Sequence, residues 1–233
     1  MFFFIFAVQR KVYFCTYDKY YMQKMQFAAH IFDICAICYG GLIMKNIAVF
    51  ASGSGSNAEN IIRYFAERTT ARVVVVLSNK SDALVHKRAE MFGVPSFFYS
   101  GAVFREGISV LQKLSEYKVD FIVLAGFLPL VSSVIINAYE NKIINIHPAL
   151  LPEYGGKGMY GRYVHESVHA AKEVKTGITI HYINEKYDDG AVIFKAECPV
   201  LPEDTVDDIE RKVHELEYKH YPVIIEGLLV EKI

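Results

Sequence analysis

From residue 44 the chain alternates short apolar runs with longer amphipathic stretches. Ile47-Ala48-Val49-Phe50-Ala51, Val73-Val74-Val75-Val76-Leu77 and Phe121-Ile122-Val123-Leu124-Ala125 are apolar throughout. Such runs suit strands buried on both faces, since a one-sided strand would alternate with polar residues. Amphipathic stretches over 57–68, up to about residue 90, and over 105–117 and 131–140 predict helices between them. A short strand near 96–98 and another over 142–146 complete a β-α-β-α order. That order predicts an α/β fold with a doubly wound, mostly parallel sheet. Two late runs, Ile178-Thr179-Ile180-His181-Tyr182 and Val192-Ile193-Phe194, are separated by a polar loop. They predict an antiparallel pair at a sheet edge. The stretch 204–229 predicts a last helix, with Asp204, Asp207 and Asp208 in its first turns, where negative charge favours the dipole. Pro222 is expected to interrupt it.

Residues 1–43 break this pattern. They are rich in Phe, Tyr, Met and Cys and contain neither Pro nor Asn. The expectation is that Met44 is the true start, with 1–43 a non-native or poorly packed extension and 44–233 the working domain. Mass spectrometry of the native N-terminus tests this, and a peptide from 11–40 would refute it. Cys35-Ala36-Ile37-Cys38 has redox or metal spacing, but no second such pair accompanies it.

With 26 acidic and 25 basic residues, charge is balanced, and no Lys/Arg cluster interleaved with aromatics marks a nucleic-acid binder. No apolar stretch reaches the roughly 20 residues that span a bilayer. After residue 44 only Cys198 remains, which fits a reducing, cytoplasmic setting. The expected partners are small-molecule substrates, with no nucleic acid and no membrane, for a monomer or homodimer.

The candidate chemistry begins where the strand over 142–146 ends. Asn145-Ile146-His147-Pro148 puts an amide and an imidazole two residues apart, on one face of the chain. Pro148 stops the strand. An amide donor beside a titratable ring suits oxyanion stabilisation and proton movement; an ordinary hydrogen-bonded turn would use the same residues. Ser52-Gly53-Ser54-Gly55-Ser56-Asn57 joins the first strand to its helix, where free N–H groups favour an anion. Gly53, Gly55 and Ala58 also fit a dinucleotide pattern. The second strand, however, ends Leu77-Ser78-Asn79-Lys80, without the acid that would hold a ribose diol. A terminal phosphate ester fits the hydroxyls and amide of the loop better. Between the late strands, Asp188-Asp189-Gly190 offers turn chemistry, or a carboxylate that raises the pKa of His147.

Taken together, these segments resemble a known family. From Met44 onward the chain is similar to the phosphoribosylglycinamide formyltransferases, folate-dependent enzymes of purine synthesis. The resemblance rests on Ser52 to Asn57, Leu77 to Lys80, Val123-Leu124-Ala125-Gly126-Phe127, Asn145 to Pro152 and Asp188 to Gly190, in that order. It implies a Rossmann-like formyltransferase fold. The implied reaction moves a formyl group from 10-formyltetrahydrofolate to the amine of 5-phosphoribosylglycinamide, with no metal. It also implies Asn145, His147 and Asp188 as the catalytic trio. Gly55, Ser56, Asn57 and Glu217 would hold the ribonucleotide, with His214 beside them. Arg105, Leu128, Pro129, Leu130, Val131 and Asn145 would meet the folate. Pro129 departs from a frequently basic position, and Asp189 from a Gly. The segment 153–161, rich in glycine, is a variant of a mobile loop.

Other readings compete. His165-Glu166-Ser167-Val168-His169 matches the zinc-protease pattern, with no third ligand evident. A formyl-folate hydrolase, a methionyl-tRNA formyltransferase or a non-catalytic phosphate binder would each use part of the motif set.

Overall fold

The computed structural model describes residues 2–8, 11–17 and 44–230. The chain divides into two units, Met1–Ile43 and Met44–Ile233. In the first, β1 (Phe2–Val8) pairs antiparallel with β2 (Lys11–Tyr17). The cysteine pair Cys35 and Cys38 lies outside the described residues.

The second unit contains β3 (Lys45–Phe50), α1 (Ser56–Ala66), β4 (Ala71–Ser78), α2 (Val85–Met91), β5 (Ser96–Phe98), α3 (Gly101–Glu106) and α4 (Ile108–Glu116). It continues with β6 (Phe121–Leu124), α5 (Ser133–Ala138), β7 (Ile143–His147), α6 (Arg162–Ala170), β8 (Lys175–Tyr182), β9 (Val192–Pro199) and α7 (Val206–Val230). The sheet order is β5-β4-β3-β6-β7-β8-β9. Strands β5, β4, β3, β6 and β7 run parallel, while β7–β8 and β8–β9 are antiparallel. The antiparallel end therefore involves three strands, one more than the predicted pair.

The continuous apolar runs now have their reason. Along β3, Ile47 and Val49 pack into one core with Ile61, Phe65, Val213 and Ile225 from α1 and α7. Ala48 and Phe50 pack into a second core with Phe104, Val110, Leu114 and Ile135. Odd and even positions thus bury on opposite faces, and neither can be polar.

Two helix expectations need correction. The helix predicted over 105–117 is two helices, α3 and α4, meeting at Gly107, whose φ is +82°. A Cβ there would lie 2.4 Å from the Ser132 hydroxyl, so the break is built into packing against the α5 segment. Pro222, expected to interrupt the last helix, sits inside an unbroken α7. Proline frees the carbonyl four residues back. That carbonyl, of Tyr218, accepts a 3.0 Å hydrogen bond from the Asn60 amide of α1. One turn of α7 is further anchored by Tyr221, fully buried, whose hydroxyl donates to the carbonyl of Leu124 at 2.8 Å.

From β3 the chain winds one way to β4 and β5, then crosses to β6 and β7 on the other side. The switch point falls between the carboxyl ends of β3 and β6, where open α/β sheets bind ligands.

Candidate active site

A cleft of about 640 Å³ opens along these strand ends. It is lined by Ser52 to Asn57 and Glu217, and by Asn145, His147, Asp188 and the segment Leu128 to Val131. The sequence-predicted trio and ribonucleotide residues therefore share one cavity. Arg105 does not: it is exposed near the end of α3 and lies off the cleft lining.

In the glycine loop, Gly55 caps α1 with φ +74°, and Ser56 opens the helix. A Cβ at position 55 would meet Val85 at 2.5 Å, so only glycine allows the loop this close to α2. The first turn of α1 leaves N–H groups without helical partners, beside the cleft that Gly55, Ser56 and Asn57 line. Asn57 donates its amide to Glu217 at 2.8 Å. Glu217 is buried, and burial raises its pKa against the opposing pull of Asn57 and His214. Ser52 was not singled out from sequence. Its hydroxyl donates to the Asn79 side-chain amide oxygen at 2.5 Å and accepts the Leu128 N–H at 2.9 Å. It thereby fastens the glycine loop to Leu128, the residue that opens the predicted folate segment.

Strand β7 places Asn145 and His147 on one face. Asn145 is directly opposite His181 across the β7–β8 ladder. His181 donates Nδ1–H to the carbonyl of Tyr182 at 2.9 Å, so its Nε2 accepts from the Asn145 amide at 3.2 Å. This fixes the amide orientation and leaves its second N–H for a ligand. His147 Nε2 lies 2.7 Å from the carbonyl of Tyr154 and must carry a proton there. Its Nδ1 then faces Asp188 at 3.6 Å. Asp188 also lies 3.7 Å from His181 Nε2 and accepts the Gly156 N–H at 2.9 Å. The glycine-rich loop thus supplies two backbone groups to the trio. Neither is visible in the sequence, because backbone donors carry no residue signature.

Burial lowers the pKa of His147, while Asp188 and the Tyr154 carbonyl raise it in opposition. For Asp188, burial pushes the pKa up, but His181, His147 and Gly156 outweigh it and the net direction is down. Burial prevails at His147 and the net direction is down, and the ionised Asp188 carboxylate is the main influence that opposes loss of the imidazolium.

The zinc-protease pattern does not assemble. His165 is buried, His169 is exposed, and Glu166 pairs with Arg162 at 3.2 Å. Among the described residues, no group of three or more His, Cys, Asp or Glu side chains is placed to hold a metal. No described helix is long and apolar enough to cross a membrane.

A donor amide, an imidazole and a carboxylate gathered in one cleft beside a glycine loop fit a group-transfer enzyme. The chain belongs to the formyl transferase family, matching the model described as "Formyl transferase" over residues 45–225. It is similar to the phosphoribosylglycinamide formyltransferase of Bacillus subtilis, at 38% identity over 80% of this chain and 95% of the relative. The Haemophilus influenzae enzyme of that name is 34% identical over 78% of this chain and 86% of its own length. The crystal structure of the Streptococcus pneumoniae enzyme superposes with a TM-score of 0.72 at 36% identity, covering 80% of this chain and all of that one.

Proposed function

We propose that this chain transfers a formyl group from 10-formyltetrahydrofolate to the primary amine of 5-phosphoribosylglycinamide, giving the N-formyl product and tetrahydrofolate. The observation that supports it most is the single cleft lined by both the glycine loop over 52–57 and the Asn145–His147–Asp188 cluster. A substrate with a phosphate and an amine at opposite ends suits such a cavity.

In this reading Gly55, Ser56 and Asn57 hold the phosphate at the start of α1, and Glu217 accepts hydroxyl hydrogens from the sugar. Leu128, Pro129, Leu130 and Val131 form the apolar wall for the folate. Arg105 rests on the resemblance alone. The amine attacks the formyl carbon, and the carbonyl oxygen becomes an oxyanion. Asn145 and protonated His147 stabilise it. As the bond from carbon to N10 breaks, the amine loses a proton and N10 gains one, with Asp188 supporting the charge on His147 during the exchange. The working unit is residues 44–233, and the expected setting is the cytoplasm.

The test follows folate absorbance with 10-formyltetrahydrofolate, with and without phosphoribosylglycinamide. Turnover that depends on the amine is the expected result. Amine-independent turnover would make the chain a hydrolase, and ribonucleotide binding without turnover would make it a binding module.

A further inference from the structure

His165 is the buried side chain that the chemistry above leaves unused. It is 1% exposed, yet its ring lines the cleft. Its Nδ1 is enclosed with no hydrogen-bond partner among the described residues. Native interiors rarely leave a polar atom in that state without a reason. Burial, together with the neighbouring His214, Arg162 and His147, lowers its pKa to about 4. The ring is therefore neutral near pH 7, with one donor and one acceptor to offer.

Its position is also constrained. Helix α6 follows the glycine-rich loop directly. Arg162, one turn before His165, bonds Asp207 of α7 at 2.6 Å and reaches Glu210 at 3.5 Å. Helix α7 carries His214 and Glu217, so this clasp joins the helix of His165 to the helix of Glu217.

We propose that His165 is a positioning residue that hydrogen-bonds the bound acceptor, because its ring lines the same cleft as Asn57, Glu217 and His147. The proposal rests on the function proposed above, since it needs an acceptor that spans the cleft. Its role is to set where along the cleft the amine arrives.

The experiment uses the full chain with His165→Ala and His165→Gln. Calorimetry with phosphoribosylglycinamide alone is read beside the KM for each substrate. Ala should weaken ribonucleotide binding by roughly five- to tenfold, the worth of one neutral hydrogen bond. Gln, which keeps a donor and an acceptor, should restore part of it. The KM for formyl-folate should stay within about twofold in both. Ribonucleotide affinity unchanged in both variants, or the two KM values rising together, would overturn the proposal. So would loss of cooperative melting in both variants, which would make the ring a packing element. Wild-type protein that fails to bind the ribonucleotide would sink the parent reading first, before any variant is compared.

Discussion

Replacing Asp188 by Asn separates charge from shape. The amide keeps an oxygen for the Gly156 N–H, which bonds the native carboxylate at 2.9 Å, and removes the charge 3.6 Å from His147 Nδ1. At that separation two unit charges attract by about 4–5 kcal/mol at an effective dielectric of about 20. Since roughly 1.4 kcal/mol is tenfold in rate, losing all of it would cost about 10³. Removal of a single oxyanion-stabilising donor costs about 10²–10³. A fall of about 10²–10³ in kcat is therefore expected, with little change in ribonucleotide affinity. The direction in pH is also fixed. Burial already depresses the pKa of His147, and Asp188 is the largest influence opposing it. Without the carboxylate the imidazolium forms only at lower pH. The alkaline fall in kcat/KM, which reports loss of that proton, should move to lower pH in Asp188→Asn. Stopped-flow and steady-state pH profiles measure both effects. The double variant with His147→Ala should lose little more than the worse single variant, because the pair acts as a unit. Turnover within about fivefold of wild type with a superimposable pH profile would refute the reasoning.

Other consequences can be checked separately. Gly55→Ala forces a Cβ to 2.5 Å from Val85 at φ +74°. It should lower stability in urea by about 1–3 kcal/mol and raise the KM for the ribonucleotide more than that for folate. Glu217→Gln removes a buried carboxyl whose pKa is raised by burial. A raised acid pKa means that the charged form destabilises the fold above the ordinary carboxylate range. The variant should therefore melt higher than wild type at neutral pH, lose that advantage in acid, and bind the ribonucleotide more weakly. Equal melting temperatures at pH 7 would count against the buried-charge account. Tyr221→Phe removes the hydroxyl that donates to Leu124 at 2.8 Å. It should cost about 1 kcal/mol in urea denaturation and leave kcat unchanged.

Much of the fold was legible because burial on both faces writes continuous apolar runs, and those runs located β3, β4, β6 and β7. The misread helices were tertiary in origin. Gly107 breaks a helix because Ser132 occupies the space a Cβ would need. Pro222 fails to break one because Asn60 takes the carbonyl it frees. Neither partner is near in sequence.

The same division holds at the site. Local order alone determined that Asn145 and His147 share a face, because strand geometry has period two, and that a glycine loop opens α1. Tertiary structure decided what surrounds them. Pairing of β7 with β8 set His181 against Asn145. The loop after β7 folded back so that Tyr154 and Gly156 meet His147 and Asp188. Packing of α6 on α7 held His165 in the cleft, unpartnered. Short-range periodicity fixes which side chains face together, whereas long-range strand pairing and helix packing fix which distant groups they face, and in the proposed mechanism those groups decide when the imidazole takes its proton.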